Sequence, residues 1–179
     1  VVFGSIGNGI FWTRPDGAGQ PRVLLANKSL QFPGSFSPDG KRLAYYQIEG
    51  SPQIWTVPFE EEGGEPKAGK PERYLATEFV DINPVFSPDG HWLAYQSNES
   101  GTQEVYVRRF PAPASAQEGK WQISNNGGTM PVWSRSVRAI TCSFCTPIIA
   151  GVRNFARRPS PLGIWKASRA MRRWPNGCA

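Results

Sequence analysis

The residue types that most often do chemistry are sparse in this chain of 179 residues. Cys142 and Cys145 form a CxxC pair, a spacing used both in zinc sites and in redox proteins. Zinc needs two further ligands, and the remaining cysteines and histidines are only Cys178 and His91. A redox pair needs a thioredoxin-like βαβ context, which the sequence does not show. The sequence therefore predicts no catalytic residue, no metal site and no cofactor.

Asp81 and Asn83 are weak candidates for a binding site at the mouth of a channel. Their oxygens could bind an ion or a polar ligand, although hydrogen bonding within the protein is the commoner use of such side chains. No Ser/His/Asp set, carboxylate pair or G-x-S-x-G motif accompanies them. His91 follows a predicted turn where a repeated segment has Lys41. We therefore expect His91 to be an exposed polar residue and not a catalytic base.

The elements that would position these residues repeat along the chain. FSPDGKRLAYY begins at Phe36 and FSPDGHWLAYQ begins at Phe86, with eight of eleven positions identical at a spacing of 50 residues. A repeat of this length is typical of a β-propeller blade. In such a fold Asp81 and Asn83 lie near the start of an inner strand, which borders the central channel.

Each repeat contains a tight turn followed by an apolar strand. Pro suits the second position of such a turn, Asp tolerates the third, and Gly accepts the left-handed exit. Short β-branched and aromatic segments follow in both copies, as strands prefer. The predicted turns comprise Ser37, Pro38, Asp39 and Gly40 in one copy and Ser87, Pro88, Asp89 and Gly90 in the other.

The predicted fold is all-β: a partial β-propeller of about three four-stranded antiparallel blades, followed by an irregular or disordered C-terminal tail. We expect blades at about 1–30, 31–79 and 80–126, and the start of a further blade at 127–135. Residues 1–5 align with the second strand of a blade, 93–97, so we expect a fragment of a longer propeller. Open sheet faces predict marginal stability and self-association of the isolated chain.

The basic charge is confined to the tail. Residues 1–134 hold 11 Lys/Arg and 14 Asp/Glu, a net charge of −3, whereas residues 135–179 hold nine Lys/Arg and no acid. The repeat pattern is also lost after Arg135. Three explanations for 136–179 stay open: a reading-frame change or assembly error in the source sequence, a disordered basic arm that binds polyanions, and a diverged blade. We expect no nucleic-acid partner for the propeller, and no apolar run is long enough to span a membrane.

Two segments between the third and fourth strands of successive blades, 58–72 and 110–119, are predicted to be loops on the same edge of the propeller. Insertions at equivalent places in repeats often form a binding face. The alternative is that both are solvated spacers.

The repeats resemble those of TolB-like propellers, over residues 1–135. QFPGSFSPDGKRLAY, FVDINPVFSPDG, SNESGTQEVYVRRFP and GKWQISNNGGTMPVWSR further resemble the propeller that ends many bacterial serine/threonine protein kinases. That resemblance implies a non-catalytic module that senses a protein or a small ligand through its propeller face, beside the missing blades of a parent chain. An extracytoplasmic or periplasmic location is favoured.

The resemblance leaves two alternatives to the receptor-kinase hypothesis. The first is the gating propeller of a prolyl oligopeptidase-like serine peptidase, and the second is a periplasmic TolB-type translocation scaffold. The chain contains no glycine-rich ATP loop, no H-R-D and no D-F-G motif. Kinase activity is therefore not expected of this chain itself.

Overall fold

The structure, a computed structural model, is all-β, as the sequence predicts. It describes residues 1–7, 9–113 and 118–134, together with the strand positions of 139–143 and 150–151. The strands are β1 Val2–Ser5, β2 Gly9–Trp12, β3 Arg22–Leu25, β4 Leu30–Phe36, β5 Arg42–Glu49, β6 Ser51–Glu62, β7 Glu65–Ala68, β8 Glu72–Arg73, β9 Ile82–Phe86, β10 Trp92–Ser97, β11 Glu104–Arg109, β12 Lys120–Gln122, β13 Thr129–Trp133, β14 Ala139–Ser143 and β15 Ala150–Gly151.

The described strands form four antiparallel sheets, each built from consecutive strands. Sheet 1 is β1-β2-β3, and sheet 2 is β4-β5-β6-β7 with β8 also paired to β6. Sheet 3 runs β9-β10-β11-β12, and sheet 4 runs β13-β14-β15. Such a series of small antiparallel meanders is the architecture of a β-propeller.

Sheet 4 includes two strands within the range for which the sequence predicts an irregular tail. Strand β14 pairs with β13, and β15 pairs with β14. The repeat pattern gave no prediction of these strands, because it is lost after Arg135. Residues 152–179, and with them Cys178 and most of the basic residues of the tail, lie outside the described residues, as does Cys145.

Consecutive sheets pack face to face through apolar side chains. We call the face of each sheet toward the preceding sheet its front face, and the opposite face its rear face. Side chains alternate between the two faces along each strand: in β5, Leu43 and Tyr45 face sheet 1, and Ala44 faces sheet 3. The three clusters between sheets hold most of the buried apolar side chains, so the core is divided among the interfaces.

The innermost strands β4, β9 and β13 approach one another closely. Each has an irregular register where it pairs with its neighbour, and Asn83 and Met130 have positive φ of 54° and 49° there. The Ser35 hydroxyl accepts the Phe86 N–H at 2.7 Å. Further along, the Trp133 indole N–H donates to the Val85 carbonyl at 2.9 Å. These bonds join each inner strand to that of the next sheet.

Gly34 lies where the backbone of β4 comes very close to Pro84 of β9. A Cβ added at Gly34 would lie 2.3 Å from the Pro84 carbonyl oxygen and 2.9 Å from Pro84 Cγ. Both atoms belong to Pro84, one to its backbone and one to its rigid ring, so neither can move away easily. Only glycine fits without moving one sheet relative to the next.

We predict that Gly34→Ala lowers the free energy of unfolding by about 1–3 kcal/mol, the usual cost of overpacking, and that Gly34→Val lowers it further. Urea denaturation measures both losses. The control is Gly101→Asn, at a position with φ of 93° and open space, because Asn tolerates positive φ. Equal stability of Gly34→Ala and the unmodified chain would contradict this packing.

Candidate functional site

The two Ser-Pro-Asp-Gly segments adopt the same turn. In each turn the glycine N–H donates to the serine carbonyl, at 2.8 Å for Gly40 and 2.9 Å for Gly90. The aspartate accepts the serine hydroxyl, at 2.5 Å for Asp39 and 2.6 Å for Asp89. Each glycine has positive φ, 71° and 73°. The turn residues thus hydrogen bond one another, which makes each turn a rigid corner of its sheet.

A hairpin arm projects from sheet 2 beside these turns, where the sequence predicts a loop. Strand β6 runs on to Glu62 and returns as β7, with Glu62 opposite Glu65. Gly63 and Gly64 between them have φ of 64° and 81°, as a tight two-residue hairpin turn requires. In the sequence, the Gly63-Gly64 pair indicates a hairpin turn. The three glutamates before it instead suggest a solvated loop, and the hairpin was therefore not predicted. Arg22 of sheet 1 forms an ion pair with Glu65 and so braces the arm.

The arm and the two turns enclose an open groove of about 1100 Å³. Its apolar lining includes Phe59, Phe110 and Pro38. Phe59 is buried, and its ring lies 5.7 Å from that of Phe36, centroid to centroid. Phe110 packs edge-on against Phe86 at 4.9 Å and is therefore held by sheet 3. The groove consequently spans the junction of sheets 2 and 3.

Charge is distributed unevenly around the groove. Its lining carries the carboxylates of Asp39, Glu60, Glu61 and Asp89 against two cations, Lys41 and Arg42. Arg42 is bound to Glu72 at 2.7 Å. In the described part of the chain, Glu60 and Glu61 form no ion pair. The arm therefore presents a negative rim.

The Asp39 carboxylate is fixed by its turn. Hydrogen bonds from the Ser37 hydroxyl and from the Lys41 backbone N–H lower the pKa of Asp39 below its ordinary value. His91, the equivalent of Lys41, has an exposed side chain that also lines the groove. Its backbone N–H donates to Asp89 at 3.1 Å.

Asp81 lies just before β9 and is only 1% exposed. Its carboxylate accepts a hydrogen bond from the Thr77 hydroxyl. Burial raises the pKa of Asp81, and hydrogen bonds from Thr77 and Ser97 oppose that rise. The nearby Glu99 raises this pKa further and Lys120 lowers it.

The position equivalent to Asp81 in sheet 2 is Gln31, fifty residues earlier. Its side-chain N–H donates to Gln47 at 2.8 Å, and Gln47 is in turn equivalent to Ser97. A neutral amide thus fills in one sheet the place that a carboxyl fills in the next.

The side-chain amide N–H of Asn83 donates a hydrogen bond to Gln96 at 3.2 Å. The polar groups of Asp81 and Asn83 therefore bind neighbouring side chains in this structure.

The described residues contain no group of three His, Cys, Asp or Glu side chains that could hold a metal ion. Within the same ranges there is no helix long and apolar enough to cross a membrane.

Comparison with known proteins identifies the fold. No family model matches the sequence, and no curated protein matches it. The structure is similar to that of a putative TolB from Agrobacterium tumefaciens, with a TM-score of 0.62 and 22% identity over 79% of this chain and 48% of that chain. A TolB from Acinetobacter baumannii gives a TM-score of 0.37 and 15% identity, over 79% and 46%.

The likeness to the first of these structures shows a TolB-like propeller fold. The chain spans about half the length of the TolB chains that it matches. Both of these structures are of TolB proteins, and the resemblance to kinase propellers rests on the sequence alone.

The two aspartates predict opposite pH effects. A raised folded-state pKa at Asp81 means that the folded state holds its proton more tightly, so this contribution to stability falls as pH rises above the ordinary aspartate range. Asp81→Asn cannot ionise at this position, so it does not lose this contribution as pH rises. The stability of Asp81→Asn relative to the unmodified chain should therefore increase between about pH 4 and about pH 7. Urea denaturation at several pH values measures the difference.

Asp39→Asn is the matched control with the opposite sign. The lowered pKa of Asp39 means that its charged form stabilises the fold, and this contribution is lost as pH falls. The relative stability of Asp39→Asn should therefore decrease as pH rises toward the ordinary aspartate pKa, and should change little over the higher range in which Asp81→Asn gains stability. Parallel curves for the two variants would show that burial does not govern the ionisation of Asp81.

Proposed function

We propose that this chain is a non-catalytic propeller scaffold that binds an extended segment of a partner protein, in the manner of a TolB-type scaffold. The observation that carries the proposal is the groove between the arm and the two turns. The TolB-like fold supports the scaffold hypothesis, because propellers present rigid surfaces built from repeated sheets.

The dimensions and lining of the groove favour a peptide. Its volume of about 1100 Å³ is slightly above the range of about 300–1,000 Å³ for small-molecule sites, which are usually more enclosed. Phe110 is only partly buried and offers aromatic surface, and such surface is enriched where proteins bind one another. The Phe110 ring is held by packing against Phe86, so little ordering would accompany binding.

The charge of the lining favours a basic segment. Four carboxylates face two cations, and Arg42 is already bound to Glu72. Glu60 and Glu61 stand on the rim, where charge mainly governs the choice of partner and the rate of encounter. In a segment with lysine or arginine beside an apolar residue, the cation would contact the glutamates of the rim and the apolar residue would contact the aromatic lining of the groove.

The receptor-kinase hypothesis is a finer proposal about the parent protein. The support for it is the set of sequence motifs that this chain shares with kinase propellers. A kinase domain and a membrane segment encoded in the same reading frame would favour this hypothesis. A hydrolase domain in that frame would favour the peptidase alternative. A periplasmic location belongs to the TolB-type hypothesis, and fractionation of cells that express the parent gene tests it.

Peptide binding tests the groove directly. The probe is a fluorescein-labelled peptide of about ten residues, about 33 Å when extended, which carries two lysines separated by proline and tryptophan. Fluorescence anisotropy should show saturable binding that weakens with added salt, as exposed charge interactions do. Replacing both lysines with glutamate should abolish it.

Reversal of charge on the arm should reverse this preference. We expect Glu60→Lys/Glu61→Lys to weaken binding of the lysine peptide by about tenfold or more and to favour the glutamate peptide. Glu78→Lys changes an exposed carboxylate outside the groove and should leave the affinity unchanged. Equal affinity of all three proteins for the lysine peptide would exclude the groove as its site.

A further inference from the structure

The arm of sheet 2, residues 59–68, stands between two open spaces. On one side is the groove of about 1100 Å³, which Glu60 and Glu61 line. On the other side is a smaller hollow of about 310 Å³ between the arm and β3, where Val23 is part of the lining. Pro66 lines both spaces. The arm is therefore a partition one hairpin thick, and its position sets the width of the groove.

The base of the arm is fixed, and its tip is exposed. Phe59 is buried between sheets 1 and 2, and its backbone N–H donates to the Lys41 carbonyl at 2.7 Å. The Gly69 N–H donates to the Pro58 carbonyl at 2.8 Å and closes the base. Residues 60–64, in contrast, are all exposed. Because a two-stranded hairpin in water is only marginally stable by itself, the orientation of the tip depends on its contacts with neighbouring sheets.

Arg22 of β3 supplies such a contact. Its guanidinium donates to both carboxylate oxygens of Glu65, near the tip. In the described part of the chain this is the ion pair that joins the arm to another sheet, since Lys67 pairs with Glu62 within the arm. A guanidinium that binds both oxygens of a carboxylate fixes orientation as well as distance. The pair thus holds the tip toward sheet 1.

Charges on the groove side attract the arm in the opposite direction. Glu60 and Glu61 form no ion pair among the described residues, and Lys41 lines the same groove. Opposite charges across a solvated space attract each other weakly and in a salt-dependent way. Loss of the ion pair to β3 would leave this attraction unopposed, and the arm would then move toward the turns and narrow the groove.

We propose that Arg22 is the positioning residue of the groove: by binding Glu65 it holds the arm away from the two Ser-Pro-Asp-Gly turns and keeps the groove open for an extended basic segment. This inference rests on the proposed function, because it names the residue on which access to the same groove depends. Arg22 is not part of the groove lining. It therefore affects a bound partner through the arm.

Charge variants of the full chain separate this positioning role from a direct effect of charge. Arg22→Glu makes the protein more negative, which by charge alone would tighten binding of the lysine peptide. We expect weaker binding instead, by about fivefold, the upper range for one exposed ion pair. Arg22→Glu/Glu65→Arg restores the pair with its charges exchanged and should return the affinity to within about twofold of the unmodified chain. Fluorescence anisotropy measures all three affinities.

Arg14→Glu is the matched control. Arg14 also belongs to the sheet 1 region, but its ion pair is with the nearby Asp16, and it lines neither of the two spaces. The change in net charge is the same as in Arg22→Glu, so the affinity should stay unchanged or become slightly tighter. Equal affinities of Arg22→Glu and Arg14→Glu for the lysine peptide would overturn the proposal.

Nuclear magnetic resonance order parameters of the Gly63 and Gly64 amides measure the arm without any peptide. They should fall in Arg22→Glu and recover in the variant with exchanged charges. If the unmodified chain binds no lysine peptide, the proposed function fails, but lower order parameters in Arg22→Glu would still support Arg22 as the residue that positions the arm. Unchanged order parameters would overturn this inference whether or not the peptide binds.

Circular dichroism verifies that each variant is folded. If Arg22→Glu loses its β spectrum, Arg22→Gln takes its place, because it removes the ion pair without adding repulsion. Arg22→Gln should weaken peptide binding by about threefold and lower the same order parameters. Unchanged values of both in a folded Arg22→Gln would contradict the proposal.

Discussion

Packing of aromatic rings on small aliphatic side chains between consecutive sheets is the constraint on which the rest of the structure depends. Each sheet is too thin to have a core of its own, so the apolar side chains on both faces are buried only by neighbouring sheets. Tyr95 and Tyr106 lie against Ala44 and Ile54 at one such interface. The groove exists because this packing fixes the arm of sheet 2 beside the turn of sheet 3.

Polar contacts near the innermost strands set the spacing between sheets. Gly34 leaves room for the Pro84 carbonyl, and the Ser35 hydroxyl accepts a hydrogen bond from the Phe86 N–H. The register of β9 is irregular just before this point, between Ile82 and Val85. Asp81 belongs to the same region, and its buried carboxyl is satisfied by hydroxyl groups. The structure thus supports a structural role for the residue that the sequence offered as a channel-mouth ligand.

The fold could be predicted from the sequence because each repeat contains a recognisable turn and strand, and because these recur at a fixed spacing of 50 residues. Ser-Pro-Asp-Gly specifies a turn by backbone preference alone, and the apolar strand after it is long enough to recognise. The arm was missed because three glutamates resemble a solvated loop, although Gly63 and Gly64 have the φ values of a hairpin turn. Strands β14 and β15 follow no repeat pattern, and their pairing with β13 depends on tertiary context. The groove and the burial of Asp81 also require two sheets in contact, which no local pattern encodes.

Residue-specific hydrogen exchange at Phe86 tests the packing of neighbouring sheets most directly. The Phe86 N–H donates to Ser35 of the preceding sheet, so its protection depends on the contact between β4 and β9. We expect slow exchange in the unmodified chain and faster exchange at Phe86 in Ser35→Ala, with little change at the β10–β11 pairs. Exchange of the Phe86 amide at the rate of an unfolded chain would contradict the account.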